Sequence, residues 1–382
     1  MPKTVLLTNG RLPKALELAR SLAGAGCRVI IADPFRWHLS RVSRCVSQSA
    51  CVRAPASDAN GYLADIMRLV EREYVDLVVP VSEETMYVSA LQGRQPGNVP
   101  VFGMPQSVLL DLHSKHQFIE TCTRLGLGVP QTLSADDPGV RAFTETAKFV
   151  VKPVFSCSGR GVRFFERGAH LHASDIKEPS VVQAFVEGDL YSTFSVVHQG
   201  RVLTTVIYRG AVMSGSVAVC FERVEALPAI TQWVETFAGK LNYSGFVSFD
   251  FVVDQAGQAL AIECNPRVTS GVHFVNPDDL AAAILDPGSI ETIRFRTGRL
   301  SQQFFPCLTE TQKSVFSPLF RKNLGYLRRA RDVTWSARDP LPLLLMPFTA
   351  YQIIARSIAK GQSFGEASTF DISWQDAAVA SR

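Results

Sequence analysis

Leu260-Ala261-Ile262-Glu263-Cys264-Asn265-Pro266-Arg267 is the stretch on which the reading turns. It begins as an apolar strand and ends in E-x-N-P-R. Upstream, Phe246-Val247-Ser248-Phe249-Asp250-Phe251-Val252-Val253 is a second strand carrying one carboxylate. Asp254-Gln255-Ala256-Gly257 lies between them and has turn composition, so the two strands form an antiparallel hairpin. Side chains alternate along an extended chain, so Glu263, Asn265 and Arg267 share a face. Asp250 lies near Glu263 across the ladder. The alternative is a solvated hairpin with incidental charges. The apolar flanks disfavour it, because carboxylates in such a setting need partners. Two carboxylates and an amide oxygen, without sulfur or imidazole, suit Mg²⁺ held together with phosphate oxygens. The guanidinium of Arg267 suits a phosphoryl group or a carboxylate.

Working outward, Phe149-Val150-Val151-Lys152-Pro153-Val154 is a strand with one lysine in it. A buried ammonium is costly, so Lys152 is expected to meet an anion. The loop Ser156-Cys157-Ser158-Gly159-Arg160-Gly161 offers backbone N–H groups and small side chains that can cover phosphates, although many surface turns look similar. Ser180 to Val186 reads as a strand entering Glu187-Gly188-Asp189. Its backbone can meet a purine edge and Asp189 can accept from ribose hydroxyls, or the segment is simply a strand entering a turn. Ser114 to Leu125 reads as a helix with Ser114 as N-cap.

The first hundred residues alternate strands with helices, which implies a parallel sheet. Strands are read at Val5 to Thr8, Val29 to Ala32 and Val75 to Val81, with helices at Lys14 to Ala25 and Tyr62 to Glu73. Ligands of such sheets sit at the carboxyl ends of strands. Asn9, Asp33 and Ser82-Glu83-Glu84 therefore share a rim, where Ser82 either meets substrate or caps a helix. Only Gly10 follows the first strand, so the G-x-G-x-x-G dinucleotide fingerprint is missing and a nicotinamide enzyme is disfavoured.

Composition sets the outer bounds. The chain has 382 residues, 46% hydrophobic and 19% charged, which suggests two or three globular domains rather than a disordered chain. Thirty-nine Lys and Arg against 35 Asp and Glu leave a net charge of +4, which does not predict nucleic-acid binding. The eight cysteines show no C-x-x-C pair and read as scattered reduced thiols. No signal-peptide layout is read at the N-terminus, and a cytoplasmic protein is expected. No transmembrane segment is expected either. The best apolar run, Leu341 to Phe348, is short and holds two prolines. From about Asp286 the chain is rich in Phe, Leu and Arg, with basic clusters at Arg321-Lys322 and Arg328-Arg329-Ala330-Arg331. It is read as an extra helical segment packed on the body, the alternatives being a membrane surface or an acidic partner.

Together these features resemble the ATP-grasp superfamily over residues 1 to about 285, with E-x-N-P-R the most specific element. The resemblance implies a mixed α/β and α+β architecture. Residues 1–112 would form a Rossmann-like pre-ATP-grasp domain, 113–187 the lid region, 188–285 a catalytic antiparallel-sheet domain, and 286–382 a C-terminal helical extension. By the same resemblance, Lys115 and Lys152 are the nucleotide-phosphate lysines, and Ser156, Ser158, Gly159 and Gly161 lie in the loop over the phosphates. Gln183, Phe185 and Val186 form the adenine hinge, and Asp189 is the ribose acid. Asp250, Glu263 and Asn265 are the ligands of two Mg²⁺ (or Mn²⁺) ions, and Arg267 steadies an acyl phosphate. Gln183 and Asp189 depart from the family pattern, where glutamate is more usual at both places.

The activity implied is an ATP-dependent carboxylate–amine ligase working through an acyl phosphate. Its substrates would be a small carboxylate, such as an amino acid, and an amine. Val268 to Phe274 is expected to line the acceptor site, with His273 either orienting an amine or packing in a loop. Alternatives are a bicarbonate-using carboxylase or carbamoyl-phosphate-like enzyme, and a regulatory ATP-binding module without catalysis. A homodimer is common among such proteins.

Overall fold

The structure, a computed structural model, describes residues 2–93, 96–156, 159–176, 178–361 and 364–374. The chain begins with β1 (Thr4–Leu7), β2 (Arg28–Asp33), β3 (Gln48–Cys51) and β4 (Leu77–Val79). These pair in parallel in the order β3-β2-β1-β4. The crossovers are helical, α1 (Pro13–Gly24) and α2 (Ala59–Glu73). β1 is buried throughout, as a central parallel strand should be, and its Val-Leu-Leu run reads accordingly. β3, with the sequence Gln-Ser-Ala-Cys, has no apolar pattern and was not legible; it lies at the sheet edge.

A second sheet contains β5 (Thr132–Ser134), β6 (Phe149–Pro153), β7 (Arg163–Phe165) and β8 (Ser180–Ala184), ordered β5-β8-β6-β7 and antiparallel. It is small, and its core rests on Val140, Phe143, Phe149, Val151 and Val182. Gly161 in the β6–β7 loop has φ +71°, and a Cβ there would come within 2.7 Å of the Pro153 ring. Both the turn and the close approach require glycine.

The third sheet is the largest. It contains β9 (Asp189–His198), β10 (Arg201–Ser214), β11 (Val217–Arg223), β12 (Gly245–Val253), β13 (Ala259–Asn265), β14 (Leu300–Gln302) and β15 (Arg331–Asp332). Their order is β13-β12-β9-β10-β11-β14-β15. On β12, Phe249 and Phe251 point into a core with Phe118, Trp233 and Phe237. Ring centroids there lie 4.8 Å apart for Phe237–Phe249 and 5.1 Å for Trp233–Phe251. Each such pair adds about 0.5–1.5 kcal/mol beyond area burial. The period-two alternation then turns Asp250, between the two phenylalanines, to the opposite face.

The extension is not purely helical, which corrects that expectation. Its strands β14 and β15 continue the third sheet from the edge of β11, β14 antiparallel and β15 parallel. Both are too short, at three and two residues, to carry a pattern. The apolar run is longer than its sequence reading suggests. Leu341–Lys360 is a single 20-residue helix that continues through Pro347. Leu341–Ala359 is long and apolar enough to cross a membrane by length and composition, with a mean hydropathy of 1.3. Pro342 stands in the first turn, where its missing N–H costs nothing, so only Pro347 interrupts the ladder. Met346 packs with Leu16 and Leu39, and Ile353 with Phe35, while Leu344, Tyr351 and Ile358 are exposed.

Candidate active site

The site is built where β13 ends, where helix Lys115–Arg124 begins, and where the lid strand β6 passes over. Asp250 and Glu263 are direct partners in the antiparallel register, and Asn265 pairs with Ser248 two positions along. Asp250 Oδ1 accepts from the Ser192 hydroxyl at 2.6 Å, and its Oδ2 accepts from the Asn265 amide nitrogen at 3.2 Å. Burial pushes the Asp250 carboxyl up to about 6, and the facing Glu263 charge adds to that.

Two lysines approach the pair. Lys115 is the first residue of its helix, which Ser114 caps by accepting from the Gln117 N–H. Its ammonium donates to the Ser156 carbonyl at 2.8 Å and hydroxyl at 3.1 Å, and stands 3.7 Å from Glu263 Oε1. Lys152 is buried on β6 and donates to Gln183 Oε1 at 2.7 Å. Burial above all, with the charge of Lys115, lowers its pKa to about 8, while Glu263 and Asp250 work the other way. Bringing an anion such as a phosphate to these lysines would offset the desolvation.

Arg267 completes the group. Its guanidinium donates to Asn265 Oδ1 at 2.8 Å and lies 2.6 Å from Glu83 Oε1. Glu83 is buried at the carboxyl end of β4, so the first domain reaches the site through it. Burial alone would raise the Glu83 carboxyl, but Arg267, His113, Lys14 and Lys115 hold it below its ordinary value. The His113 ring is 3.6 Å from Glu83 Oε2, and burial lowers its pKa. Sequence reading overlooked His113, although it lies two residues before Lys115 in His-Ser-Lys.

The nucleotide-side residues divide. Gln183 does not present its side chain to an adenine. It is buried between Lys152 and Thr132, whose hydroxyl accepts from its amide at 3.0 Å. It therefore positions the lysine, a role that the hinge reading, which concerned the backbone, did not include. Phe185 follows β8 and is 41% exposed; its ring meets that of Phe164 edge-on at 6.1 Å. An aromatic pair left open beside the lid is a stacking surface. Val186 is half-buried and Asp189, at the start of β9, is exposed. Gly188 packs so closely on β12 that a Cβ would meet the Val253 carbonyl at 2.2 Å. Ser156 is buried on Lys115, and Gly159 and Gly161 have left-handed φ of +73° and +71°. Ser158 and Cys157 lie outside the described residues.

His273 does not join the cluster. It sits in a buried turn of helix, Ser270–Phe274, with Nδ1 2.9 Å from Glu17 on α1. Its carbonyl accepts from Arg331 at 2.7 Å. It is a packing histidine between α1 and the catalytic sheet, so the catalytic assignment is corrected. Burial alone would raise Glu17, but the His273 hydrogen bond with the charges of His273, Arg331 and Arg296 holds it at about 2. On the first-domain rim, Asp33 pairs with Arg11 at 2.7 Å, and Glu84 accepts from Thr8 and from the Val81 and Ser82 N–H groups. The Ser82 hydroxyl makes no capping bond among the described residues.

Among the described residues no three His, Cys, Asp or Glu side chains group closely enough to hold an ion. The oxygens on offer are those of Asp250, Glu263 and the Asn265 amide. The raised Asp250 carboxyl and this all-oxygen chemistry fit Mg²⁺ or Mn²⁺, which keep part of their coordination for water and phosphate.

Comparison with known proteins agrees with this geometry. Residues 112–271 match the family model described as the ATP-grasp domain. No curated protein matches the chain. Among solved structures, one match is the biotin carboxylase domain dimer of Hydrogenobacter thermophilus 2-oxoglutarate carboxylase, in complex with MgADP, ADP and bicarbonate. It has a TM-score of 0.61 at 14% identity, covering 78% of this chain and 73% of that one. N5-carboxyaminoimidazole synthetase from Staphylococcus aureus, complexed with ADP, gives 0.60 at 14% identity over 77% and 80%. The L-amino acid ligase of Bacillus licheniformis gives 0.56 at 16% identity over 74% of each chain. Lysines, hairpin carboxylates and the E-x-N-P-R arginine all fall within the matched segment; residues 112–271 are an ATP-grasp domain, and the chain is a protein of the ATP-grasp fold.

Proposed function

We propose that the protein is an ATP-dependent ligase that activates a small carboxylate as an acyl phosphate and passes the acyl group to an amine. The observation that carries this reading is the convergence of Lys115, Lys152, Asp250, Glu263, Asn265 and Arg267 on one surface. In the first step a substrate carboxylate oxygen bonds to the γ-phosphorus and the bond to the β-phosphate oxygen breaks, giving ADP. In the second the amine nitrogen bonds to the acyl carbon, its proton leaves to solvent or a base, and inorganic phosphate departs.

The chain's residues supply position and charge. Lys115 and Lys152 hold phosphate oxygens, and Gln183 fixes the direction of Lys152. Arg267 faces the carboxylate being phosphorylated, with Asn265 and Glu83 fixing its plane. Asp250, Glu263 and Asn265 would hold Mg²⁺, which when bound neutralises charge on the phosphate oxygens. The Ser156–Gly161 loop keeps water from the acyl phosphate. Phe185 and Phe164 stack on adenine, the Val186 backbone meets its edge and Asp189 accepts from the ribose. No side-chain nucleophile is required.

Phosphate release from Mg-ATP, measured over a panel of amino acids, small carboxylates and amines singly and in pairs, tests the reading. Release only with a particular pair, together with an amide product, supports it. A second reading, with bicarbonate as the carboxylate, is favoured by the likeness to biotin carboxylases. Bicarbonate belongs in the same panel, where release with bicarbonate alone would select that reading. Binding of ATP with no release under any condition would leave a regulatory module.

A further inference from the structure

The helix Leu341–Lys360 is apolar both on the face it buries and on the face it shows. Inward, Met346 packs with Leu16 and Leu39, and Ile353 packs with Phe35 and Ala367. Outward, Leu344, Phe348, Tyr351, Ile354 and Ile358 follow the three- and four-residue spacing of a single stripe. They are 70, 47, 67, 44 and 78% exposed. The stripe runs about 21 Å along the helix, whereas apolar residues on an ordinary surface stand singly. A surface helix normally turns its polar side to water. Here no charged residue stands between Leu341 and Ala355.

The surroundings of the stripe are basic. Arg356 follows on the same helix and lies 4.0 Å over the Phe35 ring. The adjoining segment, whose Trp37 carbonyl accepts from the Gln352 amide at 3.1 Å, adds Arg36, Arg41 and Arg44. Trp37 is itself exposed, with the Arg41 guanidinium 4.8 Å over its ring. Among the described residues these three arginines form no ion pair. From residue 34 to 57, and again from 340 to 365, the sequence has no acidic residue. The acids nearest the helix are engaged elsewhere. Asp371 meets Arg11 and Arg356, Asp339 meets Arg20 and Ser43, and Glu366 lines the cleft beside Ser156.

We propose that this face lies flat on an anionic bilayer, with the apolar stripe in the boundary between headgroups and acyl chains and the arginines on lipid phosphates. The proposal is independent of the ligase reading. The helix does not span, because Met346, Ile353 and Gln352 tie its other face to the first domain. A helix held in the interface plane needs an apolar face and nearby cations, and both are present. Trp37 and Tyr351 have the half-apolar rings that suit headgroup depth. Charge separates this occupant from a second copy of the chain. A symmetric pairing repeats one patch against itself, so it would bring the same arginines together with no acid among them.

The full chain is sedimented with vesicles of phosphatidylcholine alone, and of phosphatidylcholine with one part in four of phosphatidylglycerol, at low and at high salt. The anionic vesicles should bind roughly tenfold or more tightly than the neutral ones, and salt should weaken that binding. Leu344→Ser with Ile358→Ser should weaken it about tenfold. Arg36→Gln with Arg41→Gln should remove the preference for anionic lipid. An unchanged melting profile in each double variant checks that it folds. Binding to neither vesicle overturns the proposal, as does equal binding to both or binding that both double variants leave intact. A chain that pairs in solution, with pairing lost in Leu344→Ser with Ile358→Ser and vesicles unbound throughout, overturns it in favour of self-association.

Discussion

The catalytic hairpin and the C-terminal extension meet the same sheet from opposite edges, and they are built by different physics. The hairpin, β12 and β13, is held by local pairing and by a dense aromatic core beneath it. The chemistry proposed for it rests on residues two apart on one strand. The extension is held by distant polar anchors. Asp339 lies 3.1 Å from Arg20 on α1, accepts from the Ser43 hydroxyl at 2.7 Å and from the Arg44 N–H, and is itself buried. Arg331 reaches Glu17 and the His273 carbonyl. Cys307 meets the Cys220 thiol of β11. A local device tolerates change elsewhere in the chain. A device made of long-range ion pairs depends on every element it bridges.

This contrast can be broken experimentally. Glu263→Ala in the hairpin is expected to lower kcat by on the order of 10³-fold, with little change in melting temperature. Steady-state turnover and a thermal melt read the two separately, and equal loss in both would make the hairpin a structural device instead. Asp339→Ala in the extension should do the reverse. It should cost about 3 kcal/mol of stability, because it strands Arg20 beside a buried surface, while the folded fraction turns over normally. Denaturant titration combined with activity per folded molecule would falsify this if kcat fell with stability unchanged.

Acid should loosen the seam between α1, the large sheet and the extension. Burial lowers the pKa of His38 and His273 below the ordinary 6.5. The unfolded chain binds those protons as pH falls below about 6.5, and stability drops with it. Glu17 works in the same direction. Its carboxyl lies at about 2 against an ordinary 4.5, so its contribution is present above 4.5 and is lost as pH falls towards 2. Melting temperature should therefore hold from pH 8 to about 6.5 and decline from there towards pH 4 and below. A flat profile would show that the seam does not bear on stability. The smallest effect belongs to the exposed pair Arg209–Glu222, at 3.0 Å. Arg209→Ala is expected to cost less than about 1 kcal/mol and to be weaker still at high salt, as paired melts at two ionic strengths would register.

The hairpin was legible because strand periodicity, turn composition and E-x-N-P-R spacing are all local signals. The Asp250–Glu263 neighbourhood followed from them, and the register bears it out. Lys152 was legible as a cation needing a partner, but not that the Gln183 side chain is the group that holds it. Phe-Val-Val-Lys and Val-Val-Gln are each ordinary strand sequences, and only antiparallel pairing of β6 with β8 brings them together. His273 shows the converse. A histidine just past a catalytic motif invites a catalytic role, yet the chain turns inward there and Glu17, 256 positions away, claims the ring.

The sequence by itself determined the parallel first domain, the carboxylate hairpin and the acidic, lysine and arginine groups that phosphate chemistry needs, because periodicity and spacing act within a few residues. Tertiary structure alone decided that Glu83 and His113 join Arg267, that β14 and β15 extend the catalytic sheet, and that Trp374 comes back to the mouth of the site. Those contacts join residues far beyond the reach of any local pattern. Their energy comes from burying charge pairs and rings against partners that no local pattern encodes.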